Sequence, residues 1–215
     1  LFAGLLLPMF AKMIKEHSDL RPLLNLSATI LLIISITVSM ACYLFGEEIL
    51  NALYQFKNEE SLAMSSSVFK NIMLAFVPMS LIFVFSTLLT AKKDIWYMNG
   101  FALAAFIINI SINYFLIPKY QSFGASIGSL ITQTAFALFC IWRCVVLFEF
   151  KLPYLQIAKF IALILILVGV NFFIKSLTNI YLVLLIFGAA SVLFSVLLKL
   201  IDMDKLMGFF KKSAQ

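Results

Sequence analysis

The 215-residue sequence predicts an all-α integral membrane protein: six transmembrane helices preceded by the end of a seventh. Two observations carry that prediction. Hydrophobic residues make up 63% of the chain and charged residues 12%, where a soluble domain carries about 45–50% and about 25%. A soluble fold of this size has too little interior to hide so much apolar surface, and the mean hydropathy of +1.07 agrees. The apolar residues also lie in continuous windows long enough to cross about 30 Å of hydrocarbon as helices of about 20 residues. Barrel strands would be shorter and would alternate apolar with polar.

Residues 1–14 read as the last turns of a truncated helix, since Leu-Phe-Ala-Gly-Leu-Leu-Leu-Pro has neither the basic start nor the cleavage site of a signal peptide. The chain is therefore expected to be the C-terminal part of a longer protein. The first full span is 22–46, uncharged between Arg21 and Glu47. The second is 71–91, the third 95–117, the fourth 123–148, the fifth 155–174 and the sixth 177–198, with a tail at 199–215. The linkers Lys92-Lys93-Asp94 and Pro118 to Ser122 are short enough to force antiparallel neighbours, so spans two to four form an up-down bundle. Pro153 breaks the chain before the last two spans, whose uniformly aliphatic sequence predicts a peripheral, lipid-facing pair. The 47–70 segment is expected to be an outer loop carrying an interfacial amphipathic helix.

Sidedness follows from the basic residues. Alternating loops put Lys12, Lys15, Arg21, Lys92, Lys93, Arg143, Lys151, Lys159, Lys199, Lys205, Lys211 and Lys212 on one side, 12 of the 16 Lys and Arg. Lys57, Lys70, Lys119 and Lys175 fall on the other. Short cytoplasmic loops are enriched in Lys and Arg, so the C-terminus is expected in the cytoplasm. The net charge of +6 has the same origin and calls for no nucleic-acid partner.

Charges deep in a bilayer cost several kcal/mol and mark function, but no Asp or Glu lies mid-span here. Arg143 and Lys159 fall near the ends of their spans, where their stems can lie along the helix with the charge at the headgroups. Uncharged polarity is plentiful: Thr132, Gln133 and Thr134 in the fourth span, Asn109 and Asn113 one turn apart in the third, Ser80 in the second. Asn and Gln are costly against lipid tails unless paired. Two readings are open for them, hydrogen bonds that hold the helices together or the lining of a wet cleft. Gln133 is the leading candidate for the cleft. Pro78 should kink the second span and is a hinge candidate. Gly124 and Gly128, four residues apart, permit close helix approach. Cys140 and Cys144 read as small buried helix residues.

Enzyme signatures are missing. His17 is the sole histidine, in a charged loop, and the sequence has neither Cys/His metal spacing, nor a phosphate loop, nor a Ser-His-acid set. No metal and no cofactor are expected.

One stretch is more specific. From Asn109 the chain reads Asn-Ile-Ser-Ile-Asn-Tyr-Phe-Leu-Ile-Pro-Lys-Tyr, then Gln-Ser-Phe-Gly-Ala-Ser-Ile-Gly. This resembles the paired-helix signature of bacterial polysaccharide (O-antigen type) flippases, in the superfamily of multidrug, oligosaccharide-lipid and polysaccharide exporters. Asn109, Asn113, Ile117, Pro118, Lys119, Tyr120, Gly124 and Ala125 stand at matching positions, while Gln121 replaces the usual Gly and Ser126 a frequent Ala. Leu7-Pro8-Met9-Phe10-Ala11-Lys12, Phe45-Gly46-Glu47-Glu48 and Leu89-Thr90-Ala91-Lys92-Lys93 resemble helix borders of the same family.

The resemblance implies helices eight to fourteen of a fourteen-helix, two-lobe transporter of the bacterial cytoplasmic (inner) membrane. It implies a flippase moving undecaprenyl-pyrophosphate-linked oligosaccharide between leaflets by alternating access, for cell-surface polysaccharide synthesis. Its partners would be the lipid-linked oligosaccharide, membrane lipids and other membrane proteins of polysaccharide assembly. Gln133, Thr132, Asn109, Asn113 and Ser80 would face the sugar path, and Lys12 and Lys15 the pyrophosphate at the loading side. Alternatives in the same superfamily are a cation- or proton-coupled multidrug exporter and a lipid II flippase. From other classes come a membrane glycan polymerase, which would carry a large outer catalytic loop, and a purely structural membrane partner.

Overall fold

The computed structural model describes residues 2–54, 56, 58–150, 153–174 and 179–200. The expectations for Lys57, Lys151, Lys175, Lys205, Lys211, Lys212, the Leu152 turn, the start of the sixth span and the tail from 201 lie outside the described residues. Every regular element among those described is an α-helix: α1 (Phe2–Lys15), α2 (Arg21–Leu44), α3 (Gly46–Leu53), α4 (Glu59–Leu74), α5 (Phe76–Ala91), α6 (Ile95–Phe148), α7 (Tyr154–Ile174) and α8 (Ile180–Leu197). They form two compact units, one ending at Leu152 and one beginning at Pro153.

In the first unit α5 is the hub, packing against α1, α2, α4 and α6. That placement explains why Val84, Leu88 and Leu89 are fully buried, with Phe10 of α1 and Cys140 and Cys144 of α6. Five helical stretches among the described residues are long and apolar enough to cross a membrane, 21–44, the combined 59–91, 95–148, 154–174 and 180–197, counting the folded 95–148 as one.

Three boundaries differ from the sequence expectation. The helix that carries the second span begins well before residue 71. Asn58 caps α4 by accepting a hydrogen bond from the Ser61 amide, and helix runs from Glu59 to Ala91 with one break at Ala75. Hydropathy locates the apolar part of a helix, whereas a cap sets where the helix starts, and α4 continues past the apolar part. The 47–70 segment is consequently mostly helix, α3 and then α4, clasped by the Lys70–Glu47 ion pair at 3.1 Å.

The second difference is at Pro78. The break lies three residues earlier, at Ala75. Proline has no N–H to give to the carbonyl four residues back, and its ring crowds that carbonyl; for Pro78 that residue is Leu74, the last of α4.

The third difference is the turn between spans three and four. Helical geometry continues through Pro118, and only Gln121 departs, with φ 49° and ψ −129°. A straight helix of 54 residues would be about 80 Å long at 1.5 Å per residue. Gln121 folds it instead into two arms, 95–120 and 122–148. Asn109 meets Thr132, Phe101 stacks on Phe139, and Asp94 meets Arg143. Those pairings are antiparallel, so one left-handed residue reverses the chain.

In the second unit α7 and α8 pack on each other. Leu163 and Leu167 of α7 and Phe187, Ser191 and Ser195 of α8 are buried. Asn179 caps α8 through the Tyr181 and Leu182 amides. Lys159, read from sequence as extending to the headgroups, donates to the Lys199 carbonyl at 3.1 Å. A cation on the free carbonyls at a helix C-terminus is favoured both by the bond and by the helix dipole.

Candidate functional site

Inside the first unit three clusters of polar groups join one helix to another, each fixed by helix register. The first joins the two arms of α6. Asn113 Nδ2 donates to Asn109 Oδ1 at 2.9 Å, Asn109 Nδ2 donates to Thr132 Oγ1 at 3.1 Å, and Thr132 donates to the Gly128 carbonyl at 2.7 Å. Thr132 has one proton, which it gives to that carbonyl, so it must accept from Asn109. The direction of the whole chain follows, and it leaves Asn113 Oδ1 buried without a hydrogen-bond partner among the described residues. That oxygen lies against Gly128, where a Cβ would collide with it. Gly124 is similarly constrained: a Cβ there would sit 2.5 Å from the Leu116 carbonyl oxygen. The two glycines thus let the arms of the hairpin close.

The second cluster is the seam between the second arm of α6 and the α4–α5 pair. Asn71 Nδ2 donates to Ser126 Oγ at 3.3 Å, and the Cys144 thiol lies 3.6 Å from the Phe85 carbonyl. Both contacts advance along both chains, so the helices run parallel. Ser126, Gln133, Ala137, Cys140 and Cys144 follow one another at steps of seven, four, three and four, the spacing of a single helix stripe. Gln133 therefore belongs to the packing seam. Its Oε1 is buried and has no hydrogen-bond partner among the described residues. Seven residues beyond Ser126 and eleven before Cys144, it lies level with the 74–78 stretch that holds the α4–α5 break.

The third cluster surrounds the α4–α5 break. Ser39 of α2 donates to the Met73 carbonyl at 2.6 Å, and Ser35 of α2 lies 3.0 Å from Ser80 of α5, oxygen to oxygen. Ser35 and Ser39 are almost fully buried.

At one end of the hairpin Arg143 grips Asp94 in bidentate fashion, Nε to Oδ2 at 2.6 Å and Nη2 to Oδ1 at 3.1 Å. Its guanidinium lies over the Tyr97 ring at 3.8 Å. Only about 15% of either charged side chain is exposed, so Arg143 is not free to extend to the headgroups as the sequence suggested. The partner was hidden because Asp94 looked like a linker residue.

The sequence-derived path residues thus separate. Asn109, Asn113 and Thr132 come together, Ser80 sits at the α4–α5 break, and Gln133 lies in the seam. Of these, Asn113 edges a shallow open depression on the first arm with Ile110, Tyr114 and Pro118. Lys12 and Lys15 stand exposed at the end of α1, Lys12 beside Glu16 at 4.0 Å. Among the described residues no three His, Cys, Asp or Glu side chains gather as metal ligands.

The family model described as lipid II flippase MurJ matches residues 2–193. The chain belongs to the lipid II flippase MurJ family. No curated protein matches it. The MurJ family consists of lipid flippases, transporters within the exporter superfamily to which the Asn109–Ala125 motif had pointed. The match favours the lipid II branch, first weighed as an alternative, over the O-antigen branch. Asn109, Asn113, Gly124 and Gly128 build the α6 hairpin itself.

Proposed function

We propose that this chain supplies helices of a bacterial inner-membrane flippase that moves lipid II, a lipid-linked sugar, between leaflets by alternating access. The observation that carries the reading is the family match over residues 2–193. The composition of the molecule fits it. A flippase lets a lipid tail stay in the bilayer while a polar head passes through a hydrated route, so it needs spans with polar side chains but few buried charges. The first unit has that character: hydroxyls and carboxamides at the helix contacts, and among the described residues a mostly buried ion pair, Arg143 with Asp94. Asn113 and Asn109 are the polar groups we place beside the sugar route, since Asn113 edges the surface depression on the first arm. Lys12 and Lys15 would meet the pyrophosphate at the cytoplasmic face.

Complementation tests the reading. The intact protein is expressed in one bacterial strain depleted of its lipid II flippase and in another deleted for its O-antigen flippase. Growth is expected in the first, with no O-antigen display in the second. The reverse pattern would return the chain to the polysaccharide branch, and failure in both would remove the flippase reading.

A further inference from the structure

The break between α4 and α5 is held from α2 by two contacts of unequal kind. Ser39 and Ser35 are one turn apart on α2, and the helices are antiparallel, so Ser39 meets Met73 before the break and Ser35 meets Ser80 beyond it. The Ser39–Met73 bond is short, 2.6 Å, and given by a buried hydroxyl. Losing it would strip a backbone carbonyl of a partner beside the residues where Pro78 already removes a donor.

The Ser35–Ser80 contact differs. Each hydroxyl has one proton, and each has a second acceptor on its own helix: the Leu32 carbonyl for Ser35 at 3.2 Å and the Val77 carbonyl for Ser80 at 2.7 Å. When the two serines touch, one donates across and the other donates within its own helix. When they part, both donate within their own helices, and no hydroxyl proton is left without an acceptor. A polar contact inside a membrane protein is ordinarily costly to break because its groups find no water. Here the alternative acceptors are already in place.

We infer that the Ala75–Pro78 break is a hinge, with Ser39 as its pin and Ser35–Ser80 as a clasp that opens during transport. The inference rests on the transporter reading above and deepens it by naming a moving contact. Bending at the break carries α5 away from α2 while α4 stays pinned. Gln133, on the opposite side at the same level, has a buried acceptor without a partner among the described residues. An incompletely satisfied group is expected where partners change between two arrangements. Ser35, Ser39, Ser80 and Gln133 are positioning residues in this account.

A reversible lock tests it. In the full-length protein Cys42, Cys140 and Cys144 are replaced by alanine, and Ser35→Cys and Ser80→Cys are introduced together. Oxygens 3.0 Å apart put the two sulfurs within reach of a bond of about 2.05 Å. Transport of fluorescent lipid II is measured in proteoliposomes, its binding in detergent, and hydrogen exchange over residues 72–80 by mass spectrometry. Oxidation is expected to cut transport about tenfold or more, to leave binding within about twofold and to slow exchange at the break, all reversed by reductant. The single-cysteine variants should not respond. Crosslinked protein that transports at the reduced rate, or exchanges at the break as fast as reduced protein, would overturn the hinge. Reduced protein that moves no lipid II but still shows oxidation-dependent exchange would sink the flippase reading and leave the hinge standing.

Discussion

At the scale of single residues, what matters is whether a neighbour can move. Gly124 faces backbone: a Cβ would meet the Leu116 carbonyl oxygen at 2.5 Å, and a helix carbonyl cannot swing aside. Gly128 faces the Asn113 carboxamide, which can be truncated. Gly124→Ala should cost about 1–3 kcal/mol by overpacking, and no single side-chain truncation should rescue it. Gly128→Ala should cost a similar amount, and Asn113→Ala should recover most of it, the coupling expected of residues in contact. Thermal unfolding of the purified protein in detergent, run as a double-mutant cycle, checks both. Gln133 gives a second expectation. Gln133→Leu replaces a buried acceptor that lacks a partner among the described residues with an apolar side chain of similar size. An unsatisfied buried group costs about 1–3 kcal/mol, so the variant should unfold no earlier than the native protein and accumulate normally in membranes. Lipid II transport should nevertheless fall, because the seam would lose its polar group. A stable variant with full lipid II transport would take Gln133 out of the mechanism.

At the scale of helices, legibility divides along physical lines. Hydropathy reports the apolar middle of a span, so α2, α5 and α7 stand close to where the sequence puts them. It does not report caps, which is why α4 begins at Glu59 and not near Asn71. It is also blind to side-chain partners far apart in the chain. Asp94 and Arg143 are 49 residues apart, and nothing local to either names the other. The Asn109–Asn113 pair was legible as a polar face, but its link to Thr132 required the reversal at Gln121. Serines 35 and 39 could have been tied to Pro78, since a proline in a buried helix frees a carbonyl that a neighbouring hydroxyl can take. Two outcomes follow at this scale. Asp94→Asn or Arg143→Gln should each lower the folded fraction, since one change leaves the other group mostly buried without its partner. The exchange of Asp94→Arg with Arg143→Asp should restore part of the loss, read as fluorescence-detected gel filtration of the full-length protein. Lys159→Met keeps the apolar stem but removes the bond to the Lys199 carbonyl, an exposed contact worth about 0.5 kcal/mol. Faster hydrogen exchange limited to the last turn of α8 would report it.

At the scale of the whole molecule the open quantity is sidedness. The argument for it is electrostatic. Lys12, Lys15, Arg21, Lys92 and Lys93 all fall at helix ends that an up-down chain places on one side. On the other side lie Glu47, Glu48, Glu59 and Glu60, where Lys70 is already neutralised by Glu47 at 3.1 Å. Asp94 does not dilute the basic side, because its charge is spent on Arg143 at 2.6 Å. Short loops of this charge are retained in the cytoplasm, so the Lys92-Lys93 turn is expected inside and the capped start of α4 outside. In the full-length protein, with Cys42, Cys140 and Cys144 replaced by alanine, Lys93→Cys should react with a membrane-impermeant maleimide only after the cells are opened. Ser61→Cys, in the first turn of α4, should react in intact cells. The opposite pattern would invert the molecule, placing Lys12 and Lys15 at the release face, and their proposed role in loading a pyrophosphate from the cytoplasm would fail with it.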